Sequence, residues 1–339
     1  MPSVDVVVPC YNYAHFLKDC VASILTQRDV EVRVLILNDA SPDNTREIGE
    51  ALAAEDSRVT YLENETNLGL IGTANRGLLD WASGDYALLL SADDLLMPSS
   101  LARSTALMEA HQDVHLVYGR ALLIGDDFDH TQMPEDEGES ESLVLSGADF
   151  IRRNFTEGNP VASPTAVVRT TVQQDLGGYL PQFYHTSDME MWMRFAAKGP
   201  VGAIKALQAG YRIHGASMSA PKINRAISDR EEIYETCKFV TETWCQPIPE
   251  ARDWLIALQR KLAQETYWLA TKSRYSADER RACAAFATRI DPDGLLSVPR
   301  LKFEIKKRVL ALKPQASPPE NFEYVPMTSN IYGWWPGED

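Results

Sequence analysis

Short, almost wholly apolar runs alternate along the first half of the chain with longer segments whose apolar positions recur three and four residues apart. Val4 to Val8 is the first run, and its apolar content on both faces predicts a strand inside a parallel sheet. Phe16, Leu17, Val21, Ile24 and Leu25 then fall on one helical face. Val30 to Leu37 predicts a second strand, followed by a helix through Leu52 that Asp43 or Asn44 would cap. A short strand at Arg58 to Leu62 precedes a helix that turns Ile71, Ala74, Leu78, Leu79 and Trp81 inward. Ala87 to Leu90 is a fourth strand, with a helix from Ser99 to about His111 and a strand at His115 to Tyr118 behind it. Such alternation predicts an α/β fold with a mostly parallel sheet and helices on both faces.

Beyond this the pattern loosens. Asp126 to Ser142 is acidic and poor in apolar residues, which predicts a solvated loop. A short helix after Ser146, an irregular segment at Asn159 to Pro164 and a strand at Ala166 to Val168 follow. His185 to Lys198 predicts a helix starting near Thr186 or Ser187, and Val201 to Ile204 with Gly210 to Ile213 predicts a small antiparallel pair. Past residue 220, spacings such as Ile223, Ile227, Tyr234, Cys237 and Leu255, Leu258, Leu262, Leu269 predict two long amphipathic helices, then a shorter one at Ala277 to Thr288. The expected division is an α/β domain at 1–220 and a helical region with a tail at 221–339.

The 339 residues carry a net charge of −15, which excludes the basic face that a nucleic-acid partner requires. Five cysteines, Cys10, Cys20, Cys237, Cys245 and Cys283, form an odd set without metal-ligand spacing and read as reduced thiols of a cytoplasmic protein. No basic-then-apolar leader and no apolar run of membrane-spanning length is evident.

The candidate chemistry gathers behind the predicted strands. Asp93 and Asp94 end the fourth strand, where ligands of open α/β sheets bind. Paired acids there suit Mg²⁺ or Mn²⁺ shared with phosphate oxygens, and equally suit a plain helix-capping region before Pro98. Neither GxGxxG nor a Walker loop follows a strand. Six fragments occur in order: Val7-Val-Pro9-Cys-Tyr11-Asn12, Asn38-Asp39-Ala-Ser41, Asn67-Leu-Gly69, Ala74-Asn75-Arg76-Gly77, Ala92-Asp93-Asp94, and Ser187-Asp188-Met-Glu190-Met-Trp192. With Tyr211-Arg212-Ile-His214 behind them, they resemble the family 2 glycosyltransferases of the GT-A fold over residues 3–220.

The resemblance implies roles. Asp188 is the candidate catalytic base, with Glu190 as its neighbour. Asp93, Asp94 and His214 are candidate ligands of a divalent cation (Mn or Mg). Pro9, Tyr11, Asn12, Asp39, Asn67, Gly69, Asn75, Arg76, Ala92, Asp93, Asp94 and Arg212 are candidate donor-binding residues, Asp39 accepting from a uracil-like ring N–H. Simpler roles stand beside these: a cap for Asp188, turns for Asp39, Asn67 and Gly69, a surface position for Arg76, and a structural histidine at 214. Where the family often has an acid two positions before Asp93, this chain has Ser91.

The implied function is inverting, metal-dependent transfer from a nucleotide-diphosphate sugar, UDP-linked, to a saccharide or lipid-linked saccharide hydroxyl in polysaccharide or glycoconjugate biosynthesis. A sugar-nucleotide-binding scaffold without catalysis, or a sugar nucleotidyltransferase, are the alternatives. Leu301, Ile305, Val309 and Leu312 stripe a late helix flanked by Lys302, Lys306, Lys307, Arg308 and Lys313. The segment 301–313 therefore reads either as a helix packed on its own domain or as a peripheral contact with the inner face of a membrane. The aromatic tail, Tyr332, Trp334 and Trp335, has no assigned role.

Overall fold

The computed structural model describes residues 1–134, 140–214, 227–272, 275–292, 298–310 and 331–335. It divides into two compact units, Met1–Ala220 with Thr328–Asp339, and Pro221–Met327. The tail thus belongs with the first unit, whereas the sequence grouped it with the helices.

The first unit is built on one ten-stranded sheet. β1 (Ser3–Cys10) lies between β2 (Glu31–Asn38) and β4 (Tyr86–Leu89), and β2 pairs with β3 (Val59–Glu63), all parallel. The Val- and Ile-rich β1 and β2 suit this doubly covered position. Asp5 is fully buried in β1, where Arg33 and the amides of Ser83 and Gly84 neutralise and bond it, as a buried charge requires. Helices α1 (Ala14–Leu25), α2 (Thr45–Glu55) and α3 (Gly69–Asn75) cross between these strands. α3 passes into a π-helical turn over Arg76–Trp81, so Leu79 and Trp81 are only half-buried rather than fully inward. Gly77 explains the close approach here, since a Cβ would fall 2.3 Å from Val7 Cγ1.

The chain continues through the two-residue strand β5 (Leu95–Leu96), α4 (Ser100–Ala110) and β6 (Leu116–Ile124), then β7 (Ser142–Leu145) and α5 (Gly147–Thr156), capped by Ser146 Oγ on the Asp149 amide. β8 (Val167–Arg169), α6 (Thr170–Leu176), α7 (Ser187–Lys198) and β9 (Val201–Arg212) complete it. β8 runs antiparallel between β4 and β6, and β6 pairs parallel with β9. The two segments expected as an antiparallel pair are one continuous strand, β9, whose partners are β6, β5 and β7. Pairing with β6 along its whole length, across a register shift between Gly119 and Ala121, carries the strand through the polar Lys205 and Gln208 without a turn. The predicted acidic loop is also partly fixed: Phe128 O accepts from Arg212, His130 bonds Asp19 in α1, and Asp129 caps a 3₁₀ turn. Residues 135–139 of that loop lie outside the described residues.

In the second unit, α8 (Ser228–Thr243), α9 (Ala251–Leu269), α10 (Ala277–Ile290) and α11 (Val298–Leu310) pack around Cys237, Val240, Leu258, Leu262, Tyr267, Cys283 and Phe286. Ser276 and Glu279 form a capping box on α10. All five cysteines are free and buried. Among the described residues, no helix is long and apolar enough to cross a membrane.

Candidate active site

The register places the candidate residues at one edge of the sheet. β4 and β6 point their carboxyl ends the same way, and antiparallel β8 begins there. Asp93 follows β4, His214 follows β9, and the Asn159–Ser163 segment leads into β8. All three therefore meet the edge where ligands of such sheets bind.

The exits of β1 and β2 are locked together. Asn12 (φ 62°) and Ala40 (φ 53°) both adopt left-handed backbone, a cost tolerated where surrounding bonds fix it. The Asn12 amide donates to Ser41 Oγ at 2.8 Å, and Ser41 donates to Asp43 Oδ1 at 2.6 Å. Burial pushes the Asp43 carboxyl up, but bonds from Ser41, Thr45 and the Ala14 amide outweigh it and hold the group below its ordinary value. Pro9 is buried in β1, whereas Tyr11 and Asn12 are exposed on the rim. Asp39 is buried, and its Oδ1 accepts from Asn64 Nδ2 and the Leu68 amide, both at 2.7 Å. Its Oδ2 has no partner among the described residues. Asn67 Oδ1 takes the Gly69 amide at 2.9 Å, and Gly69 needs its φ of 72° to start α3.

Two predicted donor residues are engaged elsewhere. The Asn75 amide exchanges two hydrogen bonds with the Tyr179 backbone, at 2.7 and 2.9 Å. Arg76 Nη1 donates to Glu63 O and Asn64 Oδ1, so it braces the β3 exit.

Ser91 to Asp94 form a turn, with Ala92 fully buried beneath it. Asp93 Oδ2 lies 3.1 Å from His214 Nε2, both side chains about one-tenth exposed, and the Tyr13 ring packs edge-on to the imidazole at 5.2 Å. Burial raises the Asp93 carboxyl above its usual range despite the His214 bond. Asp94 faces inward: its Oδ1 accepts the Arg212 amide at 2.9 Å, and burial followed by repulsion from Asp93 holds it well above the carboxylate range. Arg212 is fully buried, and its Nε, Nη1 and Nη2 all donate to main-chain carbonyls, of Asp93, Gly125, Asp126 and Phe128. It ties the acid turn to the β6 exit.

Asp93 and His214 fit a divalent cation. Mg²⁺ is commonly held by one or two carboxylates, with waters and substrate phosphate oxygens completing its shell; Asp93 could supply the carboxylate and His214, 3.1 Å from it, an imidazole. Among the described residues, no set of three or more His, Cys, Asp or Glu side chains converges.

Asp188 opens α7 with its carboxylate gripped from outside the helix. Oδ2 accepts from Asn159 Nδ2 at 3.0 Å and Ser163 Oγ at 2.9 Å, while Oδ1 takes its own helix's Met189 amide at 2.7 Å. Burial nonetheless raises its pKa above the ordinary carboxylate value. Glu190 is fully buried and paired with Arg194 at 2.8 Å, so it faces the core, two positions round the helix from Asp188. Asn159 and Ser163 were invisible to the sequence pattern, which offered only an irregular segment there.

A parallel half-sheet joined to an antiparallel one, with acids and a histidine at its carboxyl edge, is the GT-A architecture of nucleotide-sugar transferases. Comparison with known proteins agrees. Residues 5–170 match the glycosyl transferase family 2 profile, and that stretch of the chain is a family 2 glycosyltransferase domain. It is 29% identical over 157 residues to a GalNAc(5)-diNAcBac-PP-undecaprenol β-1,3-glucosyltransferase of Campylobacter jejuni, covering 46% of this chain and 50% of that one. Its fold is similar to S. aureus TarS in complex with UDP-GlcNAc, with a TM-score of 0.66, 16% identity and coverage of 91% and 90%. It is also similar to the mannosyltransferase PcManGT of Pyrobaculum calidifontis in complex with GDP-Man and Mn²⁺, with a TM-score of 0.51, 17% identity and coverage of 92% and 81%.

Proposed function

We propose that this glycosyltransferase moves a sugar with inversion from a UDP-linked donor to an acceptor hydroxyl, with Asp188 as general base. The observation that carries the proposal is the grip of Asn159 and Ser163 on Asp188 at the sheet edge shared with Asp93 and His214. The acceptor oxygen forms a bond to the anomeric carbon as the bond from that carbon to the diphosphate breaks. The hydroxyl proton passes to Asp188, and the bonding electron pair leaves with the nucleotide. A carboxylate fits this work when its pKa lies near the working pH, and burial moves Asp188 in that direction. Ser163 and Asn159 fix its orientation.

Asp93 and His214 would hold a divalent cation, whose charge offsets that of the departing diphosphate. Asp39 Oδ2 accepts a ring N–H of the base, with Pro9, Tyr11 and Asn12 as the surrounding wall. Asn67 and Gly69 shape the adjoining turn. Asp94, Arg212, Asn75 and Arg76 hold these loops in place rather than touch the donor. The acceptor is a saccharide or lipid-linked saccharide, a substrate class supported by the undecaprenol-linked saccharide in the name of the Campylobacter relative. Working on such an acceptor fits a cytoplasmic enzyme resting peripherally on a membrane through 301–313.

The test is release of nucleotide from a panel of UDP-, GDP- and dTDP-sugars, with Mn²⁺ and after chelation, alongside calorimetry with UDP, GDP and dTDP. Mn²⁺-dependent turnover of a UDP-sugar that Asp188→Asn abolishes is expected. Tight binding of all donors with no turnover on any acceptor would favour a scaffold instead.

A further inference from the structure

The tail returns to the sheet at a specific place. β10 (Ile331–Tyr332) pairs antiparallel with β6, Tyr332 opposite Ala121 and Ile331 opposite Leu122. β8 covers the same edge of β6 only at Leu116 and Val117, so β10 takes over at the carboxyl end, beside the candidate site. Gly333 turns the chain there with a φ of 104°, and a Cβ would meet Gly119 O at 3.0 Å and Arg120 Cα at 3.2 Å. Only glycine fits that turn without a shift.

The residues after the turn fasten to the segment that holds Asp188. The Trp334 amide donates to Pro160 O at 3.2 Å, next to Asn159, which bonds Asp188 Oδ2. The Arg153 guanidinium stacks 3.8 Å above the Trp334 ring, and the Lys205 ammonium lies 5.8 Å from the centre of the buried Trp335 ring. Tyr332 packs its ring 6.1 Å from that of Tyr211, and its hydroxyl has no hydrogen-bond partner among the described residues. The proximity of the Asp188 carboxylate adds to burial in raising the Tyr332 phenol, so this hydroxyl stays a proton donor.

We propose that residues 331–335 form the acceptor-side wall of the active site, with the Tyr332 hydroxyl presented to bind a hydroxyl group of the acceptor sugar. This rests on Asp188 being the base, because the tail is anchored to the segment that orients it. A phenol beside a carboxylate base suits a polyol: the ring covers the apolar face of a sugar while the O–H bonds one hydroxyl and leaves its neighbour to Asp188. The chain segment beyond the helical unit thereby completes a site whose other parts all come from residues before 220.

The experiment uses the full chain, Mn²⁺, a UDP-sugar that it accepts and octyl glycosides of glucose, galactose and N-acetylglucosamine as acceptors. Tyr332→Phe should raise the KM for the best glycoside at least tenfold with kcat changed less than threefold, and Gly333→Val, which dislodges the tail, should do the same or more. UDP affinity by calorimetry should be unchanged in both. If no glycoside saturates the wild type, water is the acceptor, and Gly333→Val should change donor hydrolysis at least threefold. Unchanged acceptor KM or hydrolysis in both variants overturns the proposal, as does joint loss of UDP binding and melting temperature, which would make the tail merely structural. Asp188→Asn separates the two ideas: retained transfer in that variant removes the base, whereas acceptor KM shifts in the tail variants stand or fall by themselves.

Discussion

The main-chain N–H of Arg212 donates to Asp94 Oδ1 at 2.9 Å, joining the end of β9 to the acid turn behind β4. The same arginine's guanidinium donates, from a fully buried position, to carbonyls of two loops: Asp93 in the acid turn, and Gly125, Asp126 and Phe128 behind β6. Removing it leaves those carbonyls unpaired in the interior, and losing one member of a buried charged cluster costs about 3–5 kcal/mol. Arg212→Met should therefore lower stability by that order in urea denaturation. Asp94→Asn, which keeps the acceptor oxygen, should cost much less. Equal stabilities of wild type and Arg212→Met would show that the cluster does not hold the loops.

Asp93 and His214 make a different prediction, because their side chains bond each other just beneath the surface of the site instead of bracing main-chain carbonyls. Asp93→Asn and His214→Ala should each weaken Mn²⁺-dependent UDP binding at least about 10-fold, since altering even the groups that support a metal's ligands costs about 10–100-fold. After chelation, wild type and variants should bind UDP alike. Calorimetric titration with and without EDTA measures both. A difference that persists without metal would place these residues on the nucleotide instead.

Asp188 links activity to pH and to stability. Its pKa is raised in the folded protein, so kcat/KM should rise with pH through an acid limb above the ordinary carboxylate range. Asp188→Asn should lower transfer by at least about 100-fold, a typical general-base contribution. The stability sign is opposite. A carboxyl with a raised folded pKa favours the fold below its unfolded pKa, and that contribution is lost as pH rises through the folded value. Asparagine at 188 retains an oxygen for Asn159 and Ser163 without the buried charge. The variant should melt higher than wild type at neutral pH, with the gap closing as pH falls below the ordinary carboxylate value. Differential scanning calorimetry across that range checks it, and a gap that widens in acid would contradict the assignment.

Much of this arrangement was legible in the chain. Val-rich β1 and β2 announce buried parallel strands, and the order of Pro9, Asp39, Asp93 and Asp188 points to the family before any contact is known. The rest depends on tertiary pairing. Asn75 and Arg212 sit in motif positions, yet which atoms they touch is set by Tyr179 and by the carbonyls of residues 125–128, far away in sequence. Asn159 and Ser163 belong to no periodic pattern, because a side chain that orients a base needs only the right place in space. Two apolar segments separated by Lys205 to Ala209 resemble a hairpin locally, and only β6 alongside makes them the single strand β9. Tyr332 follows a long polar tail, and nothing local to it indicates a strand added to the edge of β6.

The last helix yields a prediction about the membrane. Leu301 and Ile305 of α11 are 61% and 58% exposed, one turn apart on one face, while Phe303 is buried against Tyr267 at 5.6 Å. Two large aliphatic side chains held in water beside Lys302 and Arg308 match a basic amphipathic helix that lies on an anionic surface. In a chain of net charge −15, attraction to anionic lipid must be local to this face and should be screened by salt. The full-length protein should co-sediment with vesicles containing phosphatidylglycerol and not with neutral phosphatidylcholine vesicles, and binding should fall at 0.5 M salt, where the Debye length is roughly 4 Å. Leu301→Asp with Ile305→Asp should reduce the bound fraction at least about tenfold, since each buried aliphatic side chain contributes about 1.5–3 kcal/mol. Donor hydrolysis by that double variant should be unchanged, because neither residue belongs to the unit that carries the site. Equal binding of wild type and double variant to anionic vesicles would remove α11 as the membrane contact.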